Sequence, residues 1–468
     1  ADLDTQIRDA VTRLQRLQNA DGGWGWWIGA ASDPYLSAYV LWGLLRAQQA
    51  GYSVGEEVRP RAVSYITTSM PPVDMFSQGW QADRLAFALF TIGEGGEDWM
   101  PPENLYEQRA LLSPWGKAML ALTFERLGGY EEQVRTLLSD LESTAVRSAT
   151  GARWQEAAPA WQNFGTQAYT TAVVVYALAR LDPNSPLLPD ALRYLASIRN
   201  SIGGWNSSYD TAWVLLGMGQ AMRALGDMQA SFDYDVLVNE TSILSGKASP
   251  ADAASEKVAR LPISSLDSQR SSQVAITRGE GGGRLYYRLY LELERPAESA
   301  AAYAHGISIS RSYQLEGMDC REQACPPVEK VTLGAQSQVI LVRLTLTLPT
   351  ETHHLLVRDN IPAGAEIVNM ELKTSKQNYN PLEPLYDPAN PFARDFGWWY
   401  FNDSRVYDDR IEWIAYYLPA GTYQLTYRLQ PLLPGEYKVL PARAWEYYFP
   451  EVEGASSGGT LVIEEGVE

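Results

Sequence analysis

Residues 17–24, which read LQNADGGW, and residues 198–205, which read IRNSIGGW, are two versions of one short pattern. Each version follows a stretch of helical periodicity and is followed, within about ten residues, by another such stretch. Adjacent glycines permit a tight reversal, and the tryptophan can fill the seam between neighbouring helical hairpins. These corners predict a ring of helical hairpins; their residues are Gly22, Gly23, Trp24, Gly203, Gly204 and Trp205.

Amphipathic stripes extend through residues 1–228. Apolar residues recur at i, i+3, i+4 and i+7 within 36–47, 85–92 and 212–219, the pattern of helices that pack one face on a core. Ser32 or Asp33 ahead of Pro34 is a favourable helix start. The region predicts an α/α toroid, and an irregular helical bundle with two unrelated Gly-Gly-Trp corners is the alternative.

The period changes from 3.6 to 2 after residue 228. Apolar residues alternate over 285–293, 307–315 and 338–348, and short strands are predicted again at 422–429 and 460–463. Strands separated by Pro and Gly turns are typical of antiparallel β-sandwiches. The predicted fold is therefore multidomain α plus β, with a helical toroid at 1–228 and β-sandwich domains at 229–297 and 298–468.

Composition excludes several classes of function. The formal net charge of −18 opposes binding to nucleic acid or to an anionic membrane surface. A zinc site needs three or four Cys, His or carboxylate ligands, and the whole chain offers only two cysteines and three histidines, so neither a metal nor a cofactor is predicted. The first residues lack the features of a signal peptide, so we expect any targeting segment upstream of this sequence.

Several longer segments resemble the bacterial alpha-2-macroglobulin family. Residues 161–181, WQNFGTQAYTTAVVVYALARL, and 208–213, SYDTAW, are similar to its thioester domain. YLPAGTY at 417–423, LPARA at 440–444 and YYFPEV at 447–452 are similar to its C-terminal macroglobulin-like domain. The resemblance implies that 1–228 is a thioester domain lacking its first helices, that 229–297 is a CUB-like β segment, and that 298–468 is the terminal sandwich.

The chain departs from the family at the thioester itself. The family forms it from a Cys-x-Glu-Gln motif near the start of the thioester domain, whereas no cysteine here precedes Cys320. Cys320 to Gln323 match the motif formally, but they lie between predicted strands among charged residues, and we interpret them as a decoy. A local disulfide between Cys320 and Cys325 is the preferred interpretation, and it would indicate an oxidising compartment.

The resemblance also implies a function. The chain would be the C-terminal part of a broad-spectrum protease trap without catalysis, acting on endopeptidases together with upstream macroglobulin-like domains and located in the periplasm or at the cell surface. Tyr447 and Tyr448 match the segment that covers the thioester in the family; packing at a domain interface is the plainer alternative.

Two other functions stay open. Trp24, Trp26 and Trp27 could form a sugar platform, although packing at the toroid corner is the simpler interpretation. An α/α-toroid enzyme, such as a polysaccharide lyase or a terpenoid cyclase, is the other alternative. Residues 1–228 contain neither His nor Cys and no aspartate cluster of the cyclase kind.

Overall fold

The computed structural model describes residues 2–156, 161–163, 165–200, 203–252, 255–267, 269–292, 296–315, 328–333, 338–368, 395–396 and 401–466. The chain divides into a helical unit, residues 1–146 and 152–288, and a β unit, residues 147–151 and 289–468. The predicted α plus β class is confirmed. Within the described residues, no helix is long and apolar enough to cross a membrane.

Ten α-helices are present among the described residues of the first unit. They are α1 (Leu3–Arg16), α2 (Pro34–Gln49), α3 (Val58–Ser69), α4 (Gly79–Glu94), α5 (Glu103–Glu107), α6 (Pro114–Leu127), α7 (Glu131–Thr144), α8 (Gln167–Leu181), α9 (Leu187–Ser197) and α10 (Ser208–Ala224). The start of α2 follows from its sequence, because Pro34 opens the helix and the Asp33 carboxylate accepts a hydrogen bond from the Leu36 N–H at 2.8 Å.

Inner and outer helices alternate along this unit. The inner helices α2, α4, α6, α8 and α10 follow one another side by side, and α4 and α8 are buried over most of their length. The outer helices bury one stripe each, as in α1, where Val11 is the buried residue. This alternation is the α/α toroid that the helical stripes predict.

The described strands are β1 (Val146–Ser148), β2 (Gly151–Arg153), β3 (Phe232–Val238), β4 (Thr241–Ala248), β5 (Val274–Arg278), β6 (Tyr303–His305), β7 (Ser308–Leu315), β8 (Lys330–Thr332), β9 (Ile340–Leu348), β10 (Thr352–Asn360), β11 (Ala365–Ile367), β12 (Asp395–Phe396), β13 (Asp403–Val406), β14 (Arg410–Leu418), β15 (Gly421–Pro431), β16 (Gly435–Val439), β17 (Arg443–Glu446), β18 (Glu453–Ala455) and β19 (Gly459–Glu464). Apart from β1 and β2, which lie between α7 and α8, the described strands follow the last α-helix. The helical unit contains the sheet β4-β3-β5.

Two larger sheets form the core of the β unit. One has the order β13-β14-β10-β17-β18-β6, and the other has the order β11-β15-β9-β7, with β12 pairing with β15. Alternate residues of β9 are buried, as expected for a strand with one face on the core. A third sheet, β16-β19-β8, completes the described strands of this unit.

One predicted strand is wrong. Apolar alternation over 285–293 predicts a strand, yet residues 284–292 form none, and Leu289 and Leu291 are exposed. A strand needs a neighbour for its backbone N–H and C=O groups, and no described strand pairs with this segment. The alternation is present, but none of the strands that the structure describes supplies the hydrogen bonds.

Candidate functional site

The two Gly-Gly-Trp corners have the same geometry. In the first, the Trp24 indole N–H donates to the Leu14 carbonyl at 2.8 Å; in the second, Trp205 donates to Leu195 at the same distance. Gly22 and Gly203 have φ values of +93° and +89°, a conformation that favours glycine. Both tryptophans are buried, and each therefore fixes an outer helix to the inner helix that follows.

A third corner has this hydrogen bond without the Gly-Gly signal. The Trp154 indole N–H donates to the Leu141 carbonyl at 2.7 Å, and its backbone N–H donates to the Thr171 hydroxyl at 3.1 Å. The corresponding backbone acceptors are Ser37 for Trp24 and Thr211 for Trp205. A hydroxyl in the first turns of the following inner helix was the sequence signal that could have revealed this corner.

Polar side chains meet at the N-terminal ends of the inner helices. The hydroxyls of Tyr35 on α2 and Tyr209 on α10 lie 3.1 Å apart. The Thr166 hydroxyl donates to the Asp210 carboxylate at 2.7 Å. Asp83 on α4 accepts the backbone N–H of Ser113 at 2.9 Å. These contacts join neighbouring inner helices at one end of the toroid.

Burial controls the protonation of this cluster. It raises the pKa of Tyr35 to about 12 and the pKa values of Tyr169 and Tyr209 well above their usual range. The pKa values of Asp83 and Asp210 are also raised by burial. Phenols of this kind stay protonated at neutral pH and cannot serve as general bases. The cluster is suited to holding helices together.

Aromatic rings fill the centre of the toroid. Trp42 on α2 and Trp213 on α10 stack with centroids 4.5 Å apart and an interplanar angle of 5°. Phe87 on α4 lies edge-on to both, at 6.3 Å from each ring. All three side chains are buried. An α/α-toroid enzyme would need a cleft lined by polar groups at this position, and here the space is occupied by a packed core.

Tyr447 and Tyr448 lie in an exposed aromatic patch, directly after β17. They are 65% and 57% exposed, and their rings are nearly perpendicular with centroids 5.3 Å apart. Tyr416 and Tyr417 of the neighbouring sheet region are exposed as well. We call these four residues the tyrosine patch.

His354 holds this patch together and was missed by the sequence analysis. Its carbonyl accepts the Tyr447 backbone N–H at 2.9 Å, and its ring lies 5.1 Å from Tyr448 and 6.1 Å from Tyr416. His354 has a φ of +52°, which is uncommon for a residue with a side chain. The consecutive histidines at 353 and 354 beside paired tyrosines were the available signal.

Trp26 and Trp27 do not pack in the toroid corner. They are 46% and 77% exposed, in contrast to the buried Trp24, so corner packing is wrong for these two residues. The reason is a longer connection: the second corner continues from Trp205 into α10 at Ser208, whereas the first places residues 25–33 ahead of α2.

The remaining predicted positions have no described geometry. Cys320, Gln323 and Cys325 lie outside the described residues, so the disulfide and the decoy interpretation stay predictions. Across the described part of the chain, no three His, Cys, Asp or Glu side chains gather in a way that could hold a metal ion.

Several known proteins similar to this chain are bacterial alpha-2-macroglobulins. Residues 306–451 match the family model of the bacterial alpha-2-macroglobulin MG10 domain. An alpha-2-macroglobulin homolog from Nostoc sp. is 22% identical over 98% of this chain and 24% of its own length. One from Yersinia pestis is 23% identical over 97% of this chain and 22% of its own length. Residues 306–451 are thus similar to a bacterial alpha-2-macroglobulin MG10 domain, and nearly the whole chain is similar to bacterial alpha-2-macroglobulins.

The solved structures agree at the level of the fold. The crystal structure of trypsin-activated alpha-2-macroglobulin from Escherichia coli has a TM-score of 0.55 and 15% identity, over 98% of this chain and 30% of that one. The proteins that carry this similarity are alpha-2-macroglobulins, rather than lyases or cyclases. The chain spans about a quarter of the length of the curated relatives.

Proposed function

We propose that this chain is the C-terminal part of an alpha-2-macroglobulin-like trap that inhibits endopeptidases of broad specificity and so protects a bacterial cell. The observation that carries the proposal is the toroid centre, which Trp42, Phe87 and Trp213 fill, in a chain similar to alpha-2-macroglobulin homologs over almost its whole length. Such a toroid is a scaffold, since it offers no cleft for chemistry at its centre.

Residues 1–228 would be the thioester-like toroid of this trap. On α10, Leu215 and Met222 are exposed apolar side chains. They are suited to packing against another segment, which in this proposal comes from the rest of the full-length protein.

The β regions fit the same division. The sheet β4-β3-β5 lies within the proposed CUB-like segment 229–297, which ends with exposed apolar residues at 285–292. Pairing with strands outside this sequence would satisfy that segment's backbone. Residues 298–468 would be the terminal macroglobulin-like sandwich, and the MG10 match at 306–451 supports this assignment.

The tyrosine patch has a shielding role in this proposal. An activated acyl group hydrolyses unless water is kept away from it, and exposed tyrosine rings can cover such a group by packing on it. Tyr447 and Tyr448 would cover a thioester supplied by sequence outside this chain, with upstream macroglobulin-like domains as neighbours. Covalent capture would then depend on that upstream motif.

We place the full-length protein in the periplasm or at the cell surface. A protease trap has its targets outside the cytoplasm, and the acidic composition, with a net charge of −18, is compatible with that location. Lipid anchoring would be a property of sequence upstream of this chain.

Trypsin inhibition by the full-length protein tests the proposed function. A trap should block cleavage of casein while leaving cleavage of a small chromogenic peptide almost unchanged, because a confined protease still admits small substrates. Equal inhibition of both substrates would indicate an active-site inhibitor instead, and inhibition of neither would refute the proposal.

Methylamine reactivity of the full-length protein tests the shielding role. Tyr447→Ala and Tyr448→Ala should each accelerate thiol release, whereas Tyr290→Ala, which removes an exposed tyrosine elsewhere, should not. Equal rates in all variants would assign the patch to domain packing alone.

A further inference from the structure

The first toroid corner projects an apolar tip that the second corner lacks. Between Trp24 and α2, the side chains of Trp26, Trp27 and Ile28 are 46%, 77% and 84% exposed. After Trp205, by contrast, the chain enters α10 within three residues, at Ser208. The difference is an insertion, and its largest side chains face solvent. We call residues 25–31 the tip loop.

The tip loop is held in a defined shape. The Ala30 N–H donates to the Trp27 carbonyl at 3.0 Å, which closes a turn around Ile28 and Gly29. Gly29 has a φ of +80°, which suits glycine in such a turn. The Asn19 side-chain amide donates to the Ala30 carbonyl at 3.0 Å, and the Asp33 N–H donates to the Trp24 carbonyl at 2.9 Å. The exposed side chains therefore stand on a fixed support.

The neck of the loop leaves no room for a side chain. A Cβ at Gly25 would lie 2.6 Å from the Ala30 carbonyl oxygen and 2.8 Å from the Ala31 carbonyl oxygen. The two chain segments at the base of the tip loop thus approach each other closely where the loop leaves the toroid. Little conformational entropy remains to be lost when the tip binds something.

The side chains of the tip loop are suited to contact with hydrocarbon. Residues 22–32 contain no charged side chain, and their one hydroxyl, on Ser32, already donates to Asp21 at 2.8 Å. A sugar site would need polar groups beside the aromatic rings to orient the ligand. A stable protein interface buries about 800 Å² on each partner, which is more than three side chains on a convex turn can supply. A lipid interface fits: indole rings favour it, and an aliphatic side chain can enter the acyl region below.

We propose that the tip loop inserts Trp27 and Ile28, with Trp26 beside them, into the interface of a zwitterionic phospholipid bilayer. The insertion is peripheral, because the loop is a turn and supplies only three large apolar side chains. With a net charge of −18 and no basic residue in the tip, the chain is repelled by anionic headgroups. Binding is therefore hydrophobic, insensitive to salt, and weakened by anionic lipid.

Flotation of the 468-residue chain with phosphatidylcholine vesicles tests the proposal. The wild type should float with the vesicles, and the double variant Trp27→Ser/Ile28→Ser should lose about tenfold in partitioning. Leu432→Ser/Leu433→Ser is the matched control, since it removes two exposed apolar side chains from another loop, and it should partition like the wild type. Ile28→Lys is a second variant at a single exposed site, and it should show the same direction of loss.

Three results would overturn the proposal: no flotation of the wild type, equal flotation of the tip variants and the wild type, or tighter binding when phosphatidylglycerol is added. A photo-crosslinker at position 28 separates lipid from protein as the occupant. In a bacterial membrane preparation it should label acyl chains, and labelling of a protein instead would assign the tip to a protein interface and end the lipid proposal.

Discussion

At the scale of single residues, the toroid depends on indole N–H groups that are satisfied by backbone carbonyls. Trp24, Trp154 and Trp205 each donate to an outer helix, at 2.7 to 2.8 Å. Each therefore combines a large buried surface with a directional bond. If the indole N–H is removed, the carbonyl in the buried corner loses this hydrogen bond. Water cannot reach the carbonyl to replace it, so the folded unit becomes less stable.

Replacing Trp24 with Phe should lower the free energy of unfolding of the helical unit. We expect a loss of about 1–3 kcal/mol, from the lost indole hydrogen bond to the Leu14 carbonyl and the reduced buried surface. Trp27→Phe is the control, because that ring is 77% exposed, and it should change the free energy little. Urea titration followed by far-ultraviolet circular dichroism would measure both; equal effects of the two substitutions would contradict the corner geometry.

Asp83 should make the helical unit less stable as the pH rises. Its pKa in the folded state is raised well above 3.8 by burial, so the folded state binds more protons than the unfolded state above about pH 4. Stability is therefore greatest below the unfolded pKa and falls as the pH increases towards the folded pKa. An amide at this position can still accept the Ser113 N–H.

We accordingly expect Asp83→Asn to be more stable than the wild type at about pH 8, with the difference closing towards about pH 4. Urea unfolding at a series of pH values would measure this. A wild type that gains stability relative to Asp83→Asn as the pH rises would show that the carboxylate is stabilised in its charged form.

At the scale of elements, the approach of α10 to α8 depends on glycine. A Cβ at Gly217 would lie 2.6 Å from the Ala172 carbonyl oxygen, so Gly217→Ala should destabilise the helical unit by about 1–3 kcal/mol through overpacking. Gly43 on α2 has nothing within 4 Å of its Cβ position, and Gly43→Ala should stabilise by about 0.5–1 kcal/mol through helix propensity. Thermal unfolding of both variants would reveal the opposite signs, and a shared sign would argue against this packing.

The β unit is joined across its two large sheets by a buried charge. Asp359 on β10 binds the Arg311 guanidinium of β7 at 2.5 Å and the Tyr427 hydroxyl of β15 at 2.8 Å. Both members of the ion pair are almost fully buried. Removing one partner leaves the other charged and unsolvated, which is costly.

Asp359→Ala should therefore lower the unfolding free energy of the β unit by about 3–5 kcal/mol. Asp403→Ala, which breaks the exposed pair with Arg405, should have no measurable effect. Chemical denaturation monitored by tryptophan fluorescence would compare them. Similar losses of unfolding free energy in both variants would mean that the buried ion pair stabilises the fold no more than the exposed pair does.

At the scale of the whole molecule, the proposed trap scaffold can be tested for a reactive thioester. No cysteine precedes Cys320, so methylamine should neither change the mass of this chain nor release a thiol. Mass spectrometry and thiol titration before and after treatment would check this. Release of a thiol at Cys320 would show that the Cys320 to Gln323 motif is a real thioester.

Much of the fold could be predicted because periodicity is local. The stripes at 36–47 and 212–219 became inner helices, and the alternation at 338–348 became β9. The same reasoning failed at 285–293, where a strand requires a partner and alternation does not provide one. It also missed His354, because its contact with Tyr447 depends on the pairing of β10 with β17.

The sequence by itself determined the helix and strand periods, the two Gly-Gly-Trp corners and the family resemblance, because each is written in residues close together in the chain. Tertiary structure decided which apolar residues became core. Trp24 is buried and Trp27, three residues later, is exposed, although the two residues have the same chemistry. The physical reason is that a side chain is buried only where other segments of the chain pack against it. A glycine-rich turn can hold one indole against a helix while directing the next into solvent.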